Sequence, residues 1–123
     1  MVSAFSRLIV AMTIRMPKWF VGWVSRRYVA GPTLDDAVKV MKRLSSEGSC
    51  FTVDVLGEEI QSLEESTWFI DEYERVLESI AERGLDANIS IKPTALGLLI
   101  DKEAAHGSIE RIVRKASESQ TFV

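Results

Sequence analysis

Two short stretches of this chain share one grammar, and that repetition limits the folds open to it. Cys50-Phe51-Thr52-Val53-Asp54-Val55-Leu56-Gly57-Glu58-Glu59 is a β-rich run that delivers an aspartate, Asp54, and then meets a glycine. Ile89-Ser90-Ile91-Lys92-Pro93-Thr94-Ala95-Leu96-Gly97-Leu98 does the same with a lysine, Lys92. A helical pattern follows each. Strands alternating with amphipathic helices predict βα units around a parallel sheet. Two such units, each ending in a charge, predict the start of a (β/α) barrel with its site at the C-terminal rim of the strands. The closing Thr121-Phe122-Val123 reads as the start of a further strand. The expected fold class is therefore α/β: the N-terminal portion of a (β/α)8 (TIM) barrel preceded by N-terminal helices. The barrel is expected to be incomplete, since 123 residues fall short of the roughly 200 that a closed one needs. Residues 1–32 read as a helical lead-in, and residues 33–123 as the first βα units, cut at the third strand.

Strand faces follow from the period of two. Phe51, Val53 and Val55 share one face and Thr52 and Asp54 the other; Ile89 and Ile91 oppose Asn88, Ser90 and Lys92. Helices of a barrel cover its outside, so the apolar sets are expected to point outward and Asp54 and Lys92 inward, near the top.

The helices carry their own signals. Residues 3–28 read as helix in two pieces, broken near Pro17. Thr33 is a candidate N-cap with Asp35 and Asp36 in the first turn, followed by Leu34, Ala37, Val38, Met41 and Leu44 at helical spacing and a stop at Gly48. Ser62 and Glu65 have the spacing of a capping box. Behind them Phe69, Tyr73, Val76, Leu77 and Ile80 form an apolar stripe, while Glu64, Asp71, Glu74, Glu78 and Glu82 read as a solvated face. Gly84 closes that helix. Asp101 caps another, with Ala105, Ile109, Ile112, Val113 and Ala116 as its stripe; Gly107 loosens its first turn.

Charge divides the chain. The first 34 residues hold five basic and no acidic residues, against an overall net charge of −3. The acidic body argues against nucleic-acid binding, and no metal set is visible. The basic start, with Trp19, Phe20 and Trp23 interleaved among Lys18, Arg26 and Arg27, suits either a helix docked on its own protein or a peripheral contact of residues 1–28 with anionic lipid. The apolar run Leu8-Ile9-Val10-Ala11-Met12 is too short to span a bilayer. The single cysteine, Cys50, cannot form an internal disulfide and reads as a reduced, buried structural thiol. His106 has no partner at a triad or metal spacing. Neither G-x-G-x-x-G nor G-x-x-x-x-G-K-[ST] occurs, so a classical nucleotide-binding half-domain is not supported.

Lys92 is the leading candidate for chemistry. A lysine on the inward face of a parallel strand is costly to desolvate unless it is paired or meets an anion. Asp54, at the corresponding level of the neighbouring strand, is its natural partner. From the residues alone, Lys92 can equally be a rim lysine reaching solvent, and Asp54 a residue that braces a loop.

Three segments in register then resemble a known family: Arg27-Tyr28-Val29-Ala30-Gly31-Pro32-Thr33-Leu34-Asp35-Asp36-Ala37, Asp54-Val55-Leu56-Gly57-Glu58, and Ser90-Ile91-Lys92-Pro93-Thr94-Ala95-Leu96-Gly97. They are similar to the N-terminal part of bacterial monofunctional proline dehydrogenases. The resemblance runs from about Arg27 to the end. It implies a distorted (β/α)8 barrel with non-covalent FAD, oxidation of L-proline to 1-pyrroline-5-carboxylate in proline catabolism, and electron transfer to a membrane quinone. It implies that Lys92 binds the proline carboxylate and that Asp54 tunes or orients the cationic cluster beside it. The protein is then expected in the cytoplasm, peripheral to the membrane. Pro93 departs from the family, which often has an aliphatic residue there; it is expected to end the strand and could tilt Lys92. The family's third-strand aspartate, its carboxylate-binding arginines and most FAD contacts would follow Val123, so the chain alone is expected to be inactive. Two readings from other classes compete: a small membrane-surface or protein-interaction module, and the start of another barrel enzyme, such as an aldolase with Lys92 as Schiff-base nucleophile.

Overall fold

A computed structural model of the chain describes residues 15–25, 29–58 and 60–123. The chain divides into two compact units, Met1–Thr33 and Leu34–Val123. In the first, helix α1 (Lys18–Ser25) starts directly after Pro17, whose carbonyl accepts the Phe20 N–H at 2.9 Å. Proline thus stands where a missing N–H costs the helix nothing. Trp19 packs edge-on against Phe20, and Phe20 lies 6.2 Å from Trp23. The helical piece expected before Pro17, residues 3–14, and the continuation at 26–28 lie outside the described residues.

The second unit runs α2 (Leu34–Ser46), β1 (Phe51–Asp54), α3 (Leu63–Arg83), β2 (Ala87–Ser90), a 3-10 turn (Pro93–Leu96) and α4 (Lys102–Glu118). The strands pair in parallel, with Val53 opposite Ile89 and Asp54 opposite Ser90. Their alternation is as expected: Ile89 is buried and Val53 half-buried, while Thr52, Asp54, Asn88 and Ser90 are exposed. Helices therefore cover one face of the sheet, and the polar face is uncovered. Mixed α/β architecture with parallel strands is observed, over shorter strands than the sequence suggested.

One core joins the layers. Tyr73 and Leu77 of α3, Ile89 of β2, Leu96 of the 3-10 turn and Ile112 of α4 are its largest fully buried side chains. Val38 and Met41 bring α2 onto the same cluster. The α3 stripe is buried throughout, and Gly84 ends the helix in the left-handed conformation. Asp101 caps α4 by accepting the N–H groups of Glu103 and Ala104 at 2.9 and 3.1 Å.

Beyond β2 the backbone gains a third rung. Ile89 N–H donates to the Phe122 carbonyl at 3.0 Å, whereas Phe51 N–H donates to Asp86. Successive residues of a strand aim their backbone groups at opposite edges. Asp86 faces β1, so Ile89, an odd number of residues on, faces the other edge, and residues 121–123 lie there.

Four expectations are corrected. Cys50 is exposed, because β1 begins one residue later and does not enclose it. The capping box does not form: Ser62 makes no side-chain cap bond, and Glu65 takes the Gln61 N–H at 3.4 Å instead of that of Ser62. Val113 is 44% exposed, at the margin of the α4 stripe. The acidic face of α3 is not simply solvated. Glu74 binds Arg111 through both carboxylate oxygens at 2.6 and 2.7 Å, and Glu78 binds Lys115 at 2.8 Å. These pairs ascend by four residues on both helices, so α3 and α4 run in the same direction, as repeated βα units require.

Candidate functional site at the C-terminal rim of the strands

The rim is built by the turns that leave the strands. After Asp54 the chain passes over the Phe69 ring of α3. Gly57 makes that passage: its φ is +145°, and a Cβ there would run into the ring. After β2, proline restricts the residue before it to extended backbone. Lys92 accordingly has φ −116° and ψ 110°, which carries the strand direction two residues beyond Ser90. Pro93 then opens the 3-10 turn, and Gly97 closes it at φ +97°, where a Cβ would come within 2.8 Å of Leu63. β2 itself stops at Ser90, short of Pro93; the extended backbone runs on to Lys92, which still reaches Asp54.

Lys92 Nζ donates to Asp54 Oδ2 at 2.7 Å. Glu58 Oε1 lies 3.7 Å from the same nitrogen. The two sequence-predicted site residues are therefore brought together, on the polar face and at the C-terminal end of both strands. Their side chains remain 25% and 36% exposed, which leaves the pair open to a ligand. The hydrogen bond to Asp54 raises the Lys92 pKa above its ordinary value. Desolvation opposes this, and the charges of Asp54 and Glu58 add to it. The ammonium has three N–H donors, and Asp54 takes one.

Tyr73 lies beneath this pair. Its hydroxyl donates to the Ser90 carbonyl at 2.9 Å. Burial, and secondarily the Asp54 charge, push its pKa up to about 12, while the N–H groups of Val55 and Lys92 pull it down. Sequence reasoning placed Tyr73 only in an apolar stripe. The available signal was the polar end of a side chain destined for burial, which needs a partner. Glu58, in the loop after β1, faces Lys92; Glu59 lies outside the described residues. Among the described residues no group of His, Cys, Asp and Glu is arranged to hold a metal ion. His106 is exposed.

A parallel βα unit with charged residues on its C-terminal rim is an arrangement shared by α/β enzymes, whose sites lie at that end of the strands. No protein-family model matches the chain. Among curated proteins it is 38% identical over 99 residues to proline dehydrogenase 1 of Bacillus subtilis subsp. natto, covering 80% of this chain and 33% of that one. It is 29% identical over 105 residues to proline dehydrogenase 2 of Bacillus subtilis, covering 82% and 35%. Against the proline dehydrogenase of Deinococcus radiodurans it is 28% identical over 103 residues, covering 81% and 33%. The chain is thus a homologue of the proline dehydrogenases, an oxidoreductase family, and spans about a third of the length of the curated relatives it matches.

Proposed function

We propose that this chain forms part of the substrate face of an FAD-dependent proline dehydrogenase with the (β/α)8 barrel fold. In this reading L-proline is oxidised to 1-pyrroline-5-carboxylate and the electrons pass to a quinone. The observation that carries the reading is the Lys92 ammonium, held by Asp54 at the open rim of a chain homologous to proline dehydrogenases. Lys92 binds the proline carboxylate with an N–H that Asp54 leaves over, a charge-assisted hydrogen bond. Asp54 keeps the lysine protonated and aimed. The same pairing argues against a Schiff-base role, which needs a neutral amine and a lowered pKa.

FAD, when bound, supplies the two-electron acceptor. Three cations near the rim and along α4 do not fit its diphosphate. Arg111 and Lys115 are paired with Glu74 and Glu78 on the helical layer, and Lys92 is paired with Asp54. The chain by itself should therefore not turn over proline. A peripheral membrane contact of residues 1–28 by a cytoplasmic enzyme belongs to the same reading. It is supported by Trp19 and Trp23, 74% and 66% exposed, beside Arg15 and Lys18. Among the described residues no helix is long and apolar enough to cross a membrane.

The test is a graft. The segment of Bacillus subtilis proline dehydrogenase 1 that matches this chain is replaced by this chain, and proline-dependent dye reduction is measured. The expected result is a yellow protein that oxidises proline. A flavin-loaded graft that does not oxidise proline would contradict the reading.

A further inference from the structure

Helix α1 is built unlike the other α-helices described. α2, α3 and α4 each open on acidic residues, and each buries a stripe of side chains. α1, Lys18-Trp19-Phe20-Val21-Gly22-Trp23-Val24-Ser25, has no acidic residue and no buried one. At the helical period Lys18, Gly22 and Ser25 fall along one side of it. Ser25 turns its hydroxyl back onto the Val21 carbonyl. The rest of the circumference is apolar, and Trp19, Val21, Trp23 and Val24 on it are all exposed. The rings make one ridge: the Trp19 and Phe20 centroids are 5.8 Å apart, edge-on, and Phe20 lies 6.2 Å from Trp23.

Shape and charge together say what covers this ridge. The apolar side takes more than half of the circumference, wider than the stripe by which an amphipathic helix packs on a protein core. Each tryptophan joins an apolar ring to one N–H donor, which suits the boundary between lipid headgroups and acyl chains. Arg15 and Lys18 are exposed at the start of the helix. The first 34 residues hold no acid, and all 18 acidic residues of the chain follow them. A surface that attracts the cations of α1 and repels the remainder of the chain is anionic. The helix, 8 residues and so about 12 Å long, is too short to cross a bilayer of roughly 30 Å. It therefore lies in the plane of the surface, ridge inward, with its polar side toward water.

We propose that α1 is an in-plane anchor for an anionic lipid surface: Trp19, Phe20 and Trp23 enter the layer between headgroups and acyl chains, and Arg15 and Lys18 meet the lipid phosphates. This rests on the reading of residues 1–28 as a peripheral membrane contact, and it names the residues that make the contact and the lipid they select. Its test uses neither proline nor flavin, so the reading of the rim stands or falls separately.

The full 123-residue chain has three tryptophans, so Trp68→Phe leaves emission from α1 alone. This protein is mixed with vesicles of equal parts phosphatidylglycerol and phosphatidylcholine, and with vesicles of phosphatidylcholine only. Co-sedimentation measures binding, and quenching by brominated acyl chains measures the depth of the rings. Binding to the anionic vesicles is expected, with blue-shifted and quenched emission, and much weaker binding to phosphatidylcholine. Lys18→Gln should weaken anionic binding about fivefold, the effect of one cation near such a surface. Trp19→Ala with Trp23→Ala should weaken it roughly tenfold or more; both residues are exposed, so circular dichroism should show the fold retained. Anionic binding with unquenched tryptophans, or unchanged in the double variant, overturns the proposal and leaves a membrane contact standing. Equal binding to both vesicles overturns the choice of lipid in the same way. No binding to either removes the contact as well. A blue shift that follows protein concentration without lipid would put a second copy on the ridge and overturn the proposal.

Discussion

Lys92 reaches Asp54 because the residues around both leave them few other conformations. Pro93 holds Lys92 extended, Gly57 lets the chain turn over Phe69, and the Tyr73 hydroxyl holds the Ser90 carbonyl at the end of β2. Of these constraints Gly57 is the most exposed to substitution. Gly57→Ala must place a Cβ into the Phe69 ring at a φ that L residues avoid, so we expect it to destabilise the chain by roughly 1–3 kcal/mol, read from urea denaturation. The Lys92 pKa, raised chiefly by the Asp54 hydrogen bond, fixes the sign of its pH dependence. Its contribution to stability is complete below the ordinary lysine value of 10.5 and is lost as pH rises through the raised one. Asp54→Asn should therefore remove an alkaline loss of stability, read from urea denaturation across the alkaline range. Both charges were legible in the sequence, since strand alternation puts them on one face. The Tyr73 hydroxyl on the Ser90 carbonyl was not, because periodicity reports which face a residue occupies and not what its polar end will meet.

At the scale of elements, α3 and α4 are joined by packing of their buried stripes and by a ladder of ion pairs along one edge. Packing dominates: Leu77 and Ile112 are fully buried, whereas Arg111 is 54% exposed. Arg111→Met should cost only roughly 0.2–1 kcal/mol, the range of exposed ion pairs. Glu74 is held below its ordinary value of 4.5, first by the hydrogen bond from Arg111. Its contribution is present above that value and is lost as pH falls through the lowered one. Acid unfolding followed by circular dichroism should accordingly be shallower in Glu74→Gln than in the parent below about pH 4.5. The helices themselves were legible from stripes and caps such as Asp101 and Gly84. Their ion-pair register was not, since it depends on how α3 and α4 lie against each other across an intervening strand. Cys50 shows the same limit: strand ends shift by a residue, and burial shifts with them.

For the molecule as a whole, the parallel pairing of β1 and β2 and the placement of residues 121–123 beside β2 agree with the repeated strand–charge–helix grammar. Helical cover on one face leaves the polar face open, with Asp54 and Lys92 at its C-terminal end. Adjacency of the strands followed from local pattern, because a βα unit packs its helix on the sheet and brings the next strand alongside. The central claim is that Lys92 binds the carboxylate of proline, and steady-state kinetics of the grafted enzyme test it most directly. Lys92→Met keeps the stem and removes the charge. It should raise KM for proline by about ten- to a hundredfold, the scale of one charged hydrogen bond, with flavin content unchanged and with Arg111→Met behaving as the parent. An unchanged KM in a flavin-loaded Lys92→Met graft would contradict the account.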